Sequence, residues 1–262
     1  MAAQSLAANG ARVYITGRRM EVLETAAKSH DPSSSSGGSI IPLGPCDVTK
    51  KDDLEKIVKE LSGKEKHVNM LMCNAGISGP KADPSSKDAS ELKKTLWDNE
   101  TVEAWGECYT TDVTAVYFTT VAFLPLLQAS IGPYPEFSPS VITTSSMSGL
   151  MRHAQAHFSY NAAKGATVQL TKLMSSEFQK AGIRVNSIAP GYFPSEMTTQ
   201  TSDENNKSEL EDKKVADKGH VPLMRPGRET EMGMLVLFFT RNEYINGQIV
   251  AIDGGVLNTV AS

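Results

Sequence analysis

The stretch SVITTSS, at residues 140–146, decides the fold of this chain. Its apolar and β-branched residues are typical of a short strand buried on both faces of a sheet, and its last residues carry hydroxyls. Downstream of it, the sequence predicts a long helix at residues 160–180 and another apolar strand at 183–188. A strand, a helix and a second strand form a βαβ unit, so the two strands are predicted to run parallel.

The same alternation continues in both directions along the chain. Further strands are predicted at residues 13–16, 40–43, 68–73 and 248–252, and further helices at 2–9, 21–28, 52–61, 102–129 and 229–240. This alternation predicts an α/β fold, with a Rossmann-like, doubly wound, mostly parallel sheet flanked by helices in a single domain over residues 1–262. Ligands bind such sheets beyond the carboxyl ends of the strands. Two polar stretches interrupt the pattern: residues 80–99 are predicted to be a surface insertion, and residues 195–222 a mobile substrate flap.

The composition excludes several classes of function. Of the 262 residues, 40% are hydrophobic and 21% are charged, as in an ordinary globular protein. A net charge of −4 without a basic stripe predicts no nucleic-acid partner, and the lack of an uninterrupted run of about 18 apolar residues predicts no membrane span. Three cysteines without metal or disulfide spacing favour a reducing, cytoplasmic location. Three arginines ahead of the first acid, Glu21, leave an organelle transit peptide as the less favoured alternative.

Tyr160 and Lys164 carry the first chemical signal. They stand four residues apart at the start of a predicted helix, so their side chains share one face. A tyrosine titrates near pH 10, which is too high for an efficient base at neutral pH, and a nearby ammonium favours the phenolate. The spacing alone is weak evidence for a catalytic pair, because in a chain of this composition one chance occurrence of it has a probability of nearly one half. The alternative is a partly exposed aromatic beside a solvated lysine.

Further motifs stand at the predicted strand ends around this pair. In chain order they are Asp47-Val48, Asn74-Ala75-Gly76, Ser146, Tyr160-x-x-x-Lys164, Pro190-Gly191 with Phe193 and Ser195, Tyr244-Ile245-Asn246-Gly247-Gln248, and Asp253-Gly254-Gly255. Over nearly its whole length, the sequence resembles the classical short-chain dehydrogenases/reductases, a family of oxidoreductases.

The resemblance implies a role for each catalytic residue. Tyr160 would donate a proton to a carbonyl during reduction, or remove one from an alcohol during oxidation. Lys164 would lower the pKa of Tyr160 and hold the nicotinamide ribose. Ser146 would hydrogen-bond the substrate oxygen and stabilise the charge that develops there. Ser145 is the alternative serine, and its other interpretation is that it simply ends the strand.

The resemblance also implies a bound nicotinamide cofactor and a small carbonyl or alcohol substrate. The cofactor would contact Arg18, Arg19, Asp47, Val48, Asn74, Ala75, Gly76, Tyr160, Lys164, Pro190, Gly191, Phe193 and Ser195. A homodimer or homotetramer built on the helices at 102–129 and 160–180 is expected. No metal site is predicted, since His153 and His157 have metal spacing but lack a third ligand.

The residue that ends the first predicted strand indicates the choice of cofactor. NAD enzymes of this type place an acid there to hold the ribose 2′-hydroxyl. This chain has Gly17, followed by Arg18 and Arg19. Glycine removes the repulsion of an acid, and arginine suits a 2′-phosphate because its planar fork makes bidentate contacts. NADP(H) is therefore predicted over NAD(H). In the alternative, both arginines are merely solvated, and this interpretation fits Arg19 better than Arg18.

Two features depart from the family pattern. Asp112 stands where the family has a catalytic asparagine, so the sequence predicts lower activity or a shifted pH optimum. By its pattern, the chain is also predicted to begin inside the helix that should follow a first strand and a glycine-rich phosphate loop. Its first strand and loop are therefore predicted to be missing, through either a wrong start site or a real short product. The competing hypothesis to an enzyme is a catalytically silent relative that acts as a binding or interaction protein.

Overall fold

The computed structural model of the protein describes residues 1–32, 37–199 and 201–260, in which helices and strands alternate. The helices are α1 (Ala2–Ala8), α2 (Met20–His30), α3 (Lys51–Ser62), α4 (Ala89–Asn99), α5 (Val102–Tyr109), α6 (Ala115–Gln128), α7 (Phe158–Phe178), α8 (Glu196–Thr199), α9 (Asp212–Ala216) and α10 (Glu229–Arg241). The strands are β1 (Arg12–Ile15), β2 (Ser39–Pro42), β3 (Met70–Cys73), β4 (Ser140–Thr144), β5 (Arg184–Pro190) and β6 (Ile249–Ile252). The predicted insertion contains α4, and the predicted flap, whose residue 200 lies outside the described residues, contains α8 and α9.

All of the paired strands run parallel, in two sheets. One sheet holds β1 and β2, and the other has the order β3-β4-β5-β6. The parallel α/β fold is thus confirmed, but the predicted single sheet is not found in the described part of the chain, because β1 and β3 share no backbone ladder. Side chains connect the two sheets instead. Glu65, which precedes β3, accepts hydrogen bonds from Arg12 Nη1 at 2.6 Å and from Tyr14 Oη at 2.8 Å.

Helices cover both faces of the larger sheet because its central strands are apolar on both sides. Val141 and Val185 pack on one face with α3, α6 and α7, whereas Ile142 and Ile188 pack on the other with α1 and α10. Successive residues of a strand point to opposite faces, and this divides neighbouring positions between the two layers. All four of these side chains are fully buried. This packing fixes the carboxyl ends of β4 and β5 at one edge of the sheet.

The helix α5, a π-helical turn at Thr110–Thr114 and α6 form one continuous rod beneath the sheet. By length and composition this rod, Val102–Gln128, could cross a membrane, which qualifies the sequence-based prediction that no segment could. Its most apolar window is half buried inside the fold, and Phe123 and Leu127 pack in the core against α3. It is therefore the core helix of the larger sheet.

The register of the parallel strands brings the predicted motifs to the same edge. Cys73 pairs with Thr143, and Thr143 pairs with Ser187, so β3 and β4 end at the same level, while β5 continues to Pro190 beside β6. The residues that follow each strand, among them Asn74 and Ser146, consequently line one edge of the sheet. This is the edge where ligands of parallel α/β sheets bind.

Candidate active site

Lys164 forms the buried centre of the site. It lies one turn after Tyr160 on α7, and its side chain is only 4% exposed. Nζ donates a hydrogen bond to the main-chain oxygen of Thr144 at 2.9 Å and lies 3.3 Å from Asp112 Oδ1. It also lies 5.6 Å from the centroid of the Tyr160 ring. The shared helix face that the spacing predicts is therefore present, and the lysine is buried rather than solvated.

The two adjacent serines after β4 have different surroundings. Ser145 Oγ donates to the main-chain oxygen of Ile188 at 3.1 Å and accepts from Ser187 Oγ at 2.8 Å, so it closes the end of the strands. Ser146 Oγ accepts from the Ser148 amide at 3.1 Å and makes a hydrogen bond with Tyr160. Of the two serines, Ser146 is thus the one beside the tyrosine.

The environment of Tyr160 keeps its phenol protonated. Burial raises the pKa of Tyr160 to about 12, and the nearby Asp112 and Cys108 add to the rise, while the hydrogen bond with Ser146 lowers it. Lys164 faces Asp112, where its charge opposes the rise that burial causes in the pKa of that carboxyl. The predicted lowering of the Tyr160 pKa by Lys164 stays a prediction. In this arrangement, the Tyr160 phenol keeps its proton at neutral pH.

Asp112 holds the site together from the π-helical turn. Its carboxyl is fully buried, which raises its pKa, and the charge of Lys164 opposes that rise. Besides Lys164, Oδ1 accepts from the Ile77 amide at 3.1 Å, and Oδ2 accepts from Cys108 Sγ at 3.4 Å. Its main-chain oxygen accepts from Thr167 Oγ1 at 2.7 Å. A carboxylate with this many donors is fixed in one orientation.

The Asn74-Ala75-Gly76 motif supports this arrangement from β3. Asn74 Oδ1 accepts from Thr144 Oγ1 at 3.2 Å, which ties the ends of β3 and β4 together. A Cβ on Gly76 would lie 2.5 Å from Asp112 Oδ1 and 3.3 Å from Lys164 Nζ. Only glycine lets the backbone approach the ion pair so closely.

Sequence reasoning missed three residues that shape the site. Cys108 and Thr167 donate to Asp112, and Gly149 packs directly on the backbone of Lys164, where a Cβ would lie 2.5 Å from its carbonyl carbon. Helical spacing could have found one of them, because Cys108 precedes Asp112 by four residues. The other two contacts come from distant parts of the chain and leave no local pattern.

His153 and His157 do not converge on a common point. Nδ1 of His153 accepts from the Gln155 amide at 3.2 Å, whereas Nδ1 of His157 lies 3.2 Å from the main-chain oxygen of Ser78. Burial lowers the pKa of His157, whose ring lies edge-on to Tyr160 at 6.3 Å between centroids. Within the described residues, His, Cys, Asp and Glu side chains do not gather in a group of three that could hold a metal.

The predicted cofactor residues follow the carboxyl ends of several parallel strands. Gly17, after β1, could carry a Cβ without a clash, since that atom would meet a Leu23 side-chain carbon at the ordinary contact distance of 3.6 Å. The exposed Arg18 and Arg19 follow it directly. After β2, Asp47 accepts from the amide and Oγ1 of Thr49, and these hydrogen bonds lower its pKa. A cationic turn without an acid at the end of β1 fits the phosphate-bearing end of a dinucleotide.

The residues after β5 are more tightly packed than the motif suggests. A Cβ on Gly191 would lie 2.7 Å from the Cα of Asp253, so Pro190-Gly191 is locked against the segment after β6. Phe193 is buried in the core against Gly227, and its predicted cofactor contact stays a prediction. Ser195, just before α8, makes a hydrogen bond through Oγ with Thr198 Oγ1 at 3.1 Å. Val48 packs at the margin of the core.

Comparison with known proteins gives matches over essentially the whole chain. A protein-family model described as enoyl-(acyl carrier protein) reductase matches residues 1–257. The short-chain dehydrogenase/reductase PhomF of Diaporthe leptostromiformis is 36% identical over 100% of this chain and 88% of its own length. The short-chain dehydrogenase/reductase SAT3 of Stachybotrys chartarum is 35% identical over 99% of this chain and 98% of its own. The solved Pseudomonas aeruginosa RhlG/NADP active-site complex has a TM-score of 0.78 at 28% identity, with 97% and 90% of the two chains covered.

These matches correct one sequence-based prediction. The sequence predicts that the first strand and the glycine-rich loop are missing, because it places Met1 in the helix after that loop. The matches begin at the first residues and run through the chain, so this prediction is not borne out.

Proposed function

Because the chain belongs to the short-chain dehydrogenase/reductase family, and so is an NAD(P)-dependent oxidoreductase, we propose that it reduces the carbonyl group of a small molecule with NADPH. Tyr160 is the proton donor in this proposal. The observation that carries it is the assembly of Ser146, Tyr160 and Lys164 beyond the end of β4, with the phenol held protonated.

The side chains of the site supply the proton and the orientation. When bound, the reduced nicotinamide supplies the hydride that reaches the carbonyl carbon. Tyr160 Oη donates its proton to the carbonyl oxygen as negative charge develops there. Ser146 Oγ, which accepts from the Ser148 amide at 3.1 Å, would turn its own proton from Tyr160 to the same oxygen and stabilise the charge there. Lys164, fixed by Thr144 and Asp112, would hold the ribose.

The preference for NADPH rests on the end of β1. Gly17 brings no acid to the ribose, and the exposed Arg18 and Arg19 that follow it offer guanidinium groups suited to a 2′-phosphate. The solved RhlG structure that this chain resembles is a complex with NADP, in agreement with this preference.

A catalytically silent binding protein is the second candidate. The buried charge of Asp112 and the high pKa of Tyr160 favour it, because a base for alcohol oxidation would need the phenolate. The intact Ser146, Tyr160 and Lys164 favour the enzyme. Reduction needs the phenol in the form that this site stabilises, so we prefer the enzyme.

We further propose a cytoplasmic homodimer or homotetramer. Three buried, unpaired cysteines support a reducing location. Large exposed side chains on α5, α6 and α7 support self-association through these helices: Trp105 is 39% exposed, Tyr117 41% and Leu173 55%.

A titration of the purified chain with NADPH and NADH, followed by nucleotide fluorescence and thermal shift, tests the proposal. Saturable binding that is tighter for NADPH is expected, together with NADPH oxidation in the presence of a panel of ketones and 3-oxoacyl thioesters. Binding without turnover across the panel would favour the silent relative. A folded chain that binds neither nucleotide would contradict both the cofactor and the reaction.

A further inference from the structure

Glu196 reaches from the flap to the residue predicted to bind the cofactor's phosphate. Its carboxylate makes two parallel contacts with the guanidinium of Arg19, Oε2 to Nη2 at 2.7 Å and Oε1 to Nη1 at 3.2 Å. The two residues are 177 positions apart in the sequence. Arg19 holds the pKa of Glu196 below its usual value, so the carboxylate is charged at neutral pH.

Other contacts bring the same flap onto α2. Asn206 Nδ2 donates to the main-chain oxygen of Val22 at 2.8 Å, in a partly buried position. Asn205 Oδ1 accepts from Ser29 Oγ at 3.4 Å. The flap therefore contacts α2 at two points in addition to its ion pair with Arg19.

Hydrogen bonds within its own turn also fix the position of Glu196. Thr198 Oγ1 donates to the main-chain oxygen of Phe193 at 2.7 Å and accepts from the Ser195 amide at 2.9 Å. Because Phe193 is buried in the core, these bonds fix the start of α8 to the body of the protein. The carboxylate of Glu196 is thus presented to Arg19 by a turn with defined geometry.

A carboxylate and a phosphate compete for the same two donors of a guanidinium. Both present paired oxygens that match the planar fork, and a fork engaged by one anion cannot make the same bidentate contact with the other. Arg18 lies next to Arg19 on the exposed surface, so a 2′-phosphate has one arginine beside it that Glu196 does not engage.

We propose that Glu196 is a specificity-determining residue for the cofactor, whose carboxylate competes with the 2′-phosphate of NADPH for Arg19. The proposal rests on the proposed function, in which Arg19 recognises that phosphate. Glu196 weakens NADPH binding and leaves NADH binding unchanged. It therefore reduces the preference of the protein for NADPH over NADH. Binding of NADPH breaks the contact between α8 and the end of β1.

A double-mutant cycle measured by binding tests this competition. Dissociation constants for NADPH and NADH are measured for the parent, Glu196→Gln, Arg19→Gln and the double variant, by nucleotide fluorescence without substrate. Glu196→Gln is expected to tighten NADPH binding about two- to fivefold, the range of an exposed ion pair, and to leave NADH unchanged. In the Arg19→Gln background the effect should vanish. Glu177→Gln, in the exposed pair with Lys180, controls for the loss of one negative charge.

The possible outcomes distinguish a failure of this inference from a failure of the proposed function. If Arg19→Gln weakens NADPH but Glu196→Gln leaves it unchanged, Glu196 does not compete, and the proposed function stands. Tightening of NADH by the same factor, or equal tightening in Glu177→Gln, would mean a general charge effect and would overturn the competition. If Arg19→Gln has no effect on NADPH, the proposed role of Arg19 fails, and the inference fails with it.

Discussion

Two ion pairs of this protein show that a short distance does not measure the importance of a contact. The pair near the end of β1, Arg19 with Glu196, is the shorter at 2.7 Å, and its side chains are 55% and 56% exposed. The pair in the candidate active site, Lys164 with Asp112, spans 3.3 Å, and its side chains are 4% and 0% exposed. Water screens the first pair, so either partner can be removed cheaply. In the second, removal of one partner leaves a buried charge without compensation. The exposed pair of Arg19 and Glu196 can therefore exchange partners, whereas the buried pair of Lys164 and Asp112 keeps one arrangement.

Rate measurements should separate the two regions most strongly. Tyr160→Phe removes the proton donor and is expected to lower kcat about 10²- to 10⁴-fold, with cofactor binding retained. Arg19→Gln should leave kcat at saturating cofactor close to that of the parent and raise the KM for NADPH. Steady-state kinetics on both variants, with circular dichroism to check folding, makes the comparison. A Tyr160→Phe variant with the parent's kcat would remove Tyr160 from the mechanism.

Stability should differ between the regions by a smaller but clear amount. Asp112→Ala leaves Lys164 buried and unpaired, and is expected to lower the free energy of unfolding by about 3 to 5 kcal/mol. Glu196→Ala should cost less than about 1 kcal/mol, because its partner can be solvated. Urea denaturation of both variants measures the difference. Equal losses would show that burial does not distinguish the two pairs.

The smallest expected effect is on the pH profile. The Tyr160 phenol has a pKa raised to about 12, so it can donate its proton throughout the neutral range, and reduction should decline only as the pH rises toward that value. The negative charge of Asp112 contributes to the rise. Asp112→Asn should therefore lower the pKa of Tyr160 and move the alkaline decline to lower pH, while Glu196→Gln should not move it. The measurement is kcat/KM for carbonyl reduction against pH. Identical profiles for Asp112→Asn and the parent would show that this charge does not reach the phenol.

The sequence predicts what local patterns encode. The alternation of apolar strands and amphipathic helices was sufficient for the parallel α/β fold, and the four-residue spacing of Tyr160 and Lys164 was sufficient for their shared face. The resemblance placed the charge of Asp112 in the catalytic set, but the Ile77 amide that also binds this carboxylate was not predictable, because it comes from a distant segment. Nor could the partner of Arg19 be predicted, since Glu196 lies far along the chain in a polar segment without periodicity. Side-chain contacts between distant segments depend on how the elements pack, and packing leaves little trace in composition or spacing.

The π-helical turn at Thr110–Thr114 has a consequence for how such a site can arise. A single-turn π-helix corresponds to an α-helix that has gained one residue, while the helix on either side keeps its original register. Cys108 and Val116, which flank the turn, are both buried in core clusters, so the surroundings are those of an ordinary helix. Within this turn, the main-chain oxygen of Asp112 accepts a hydrogen bond from Thr167 on α7. An insertion of a single codon into a regular helix could thus have created the anchor of the candidate active site without repacking the core, and a deletion there would take away the anchor and spare the fold.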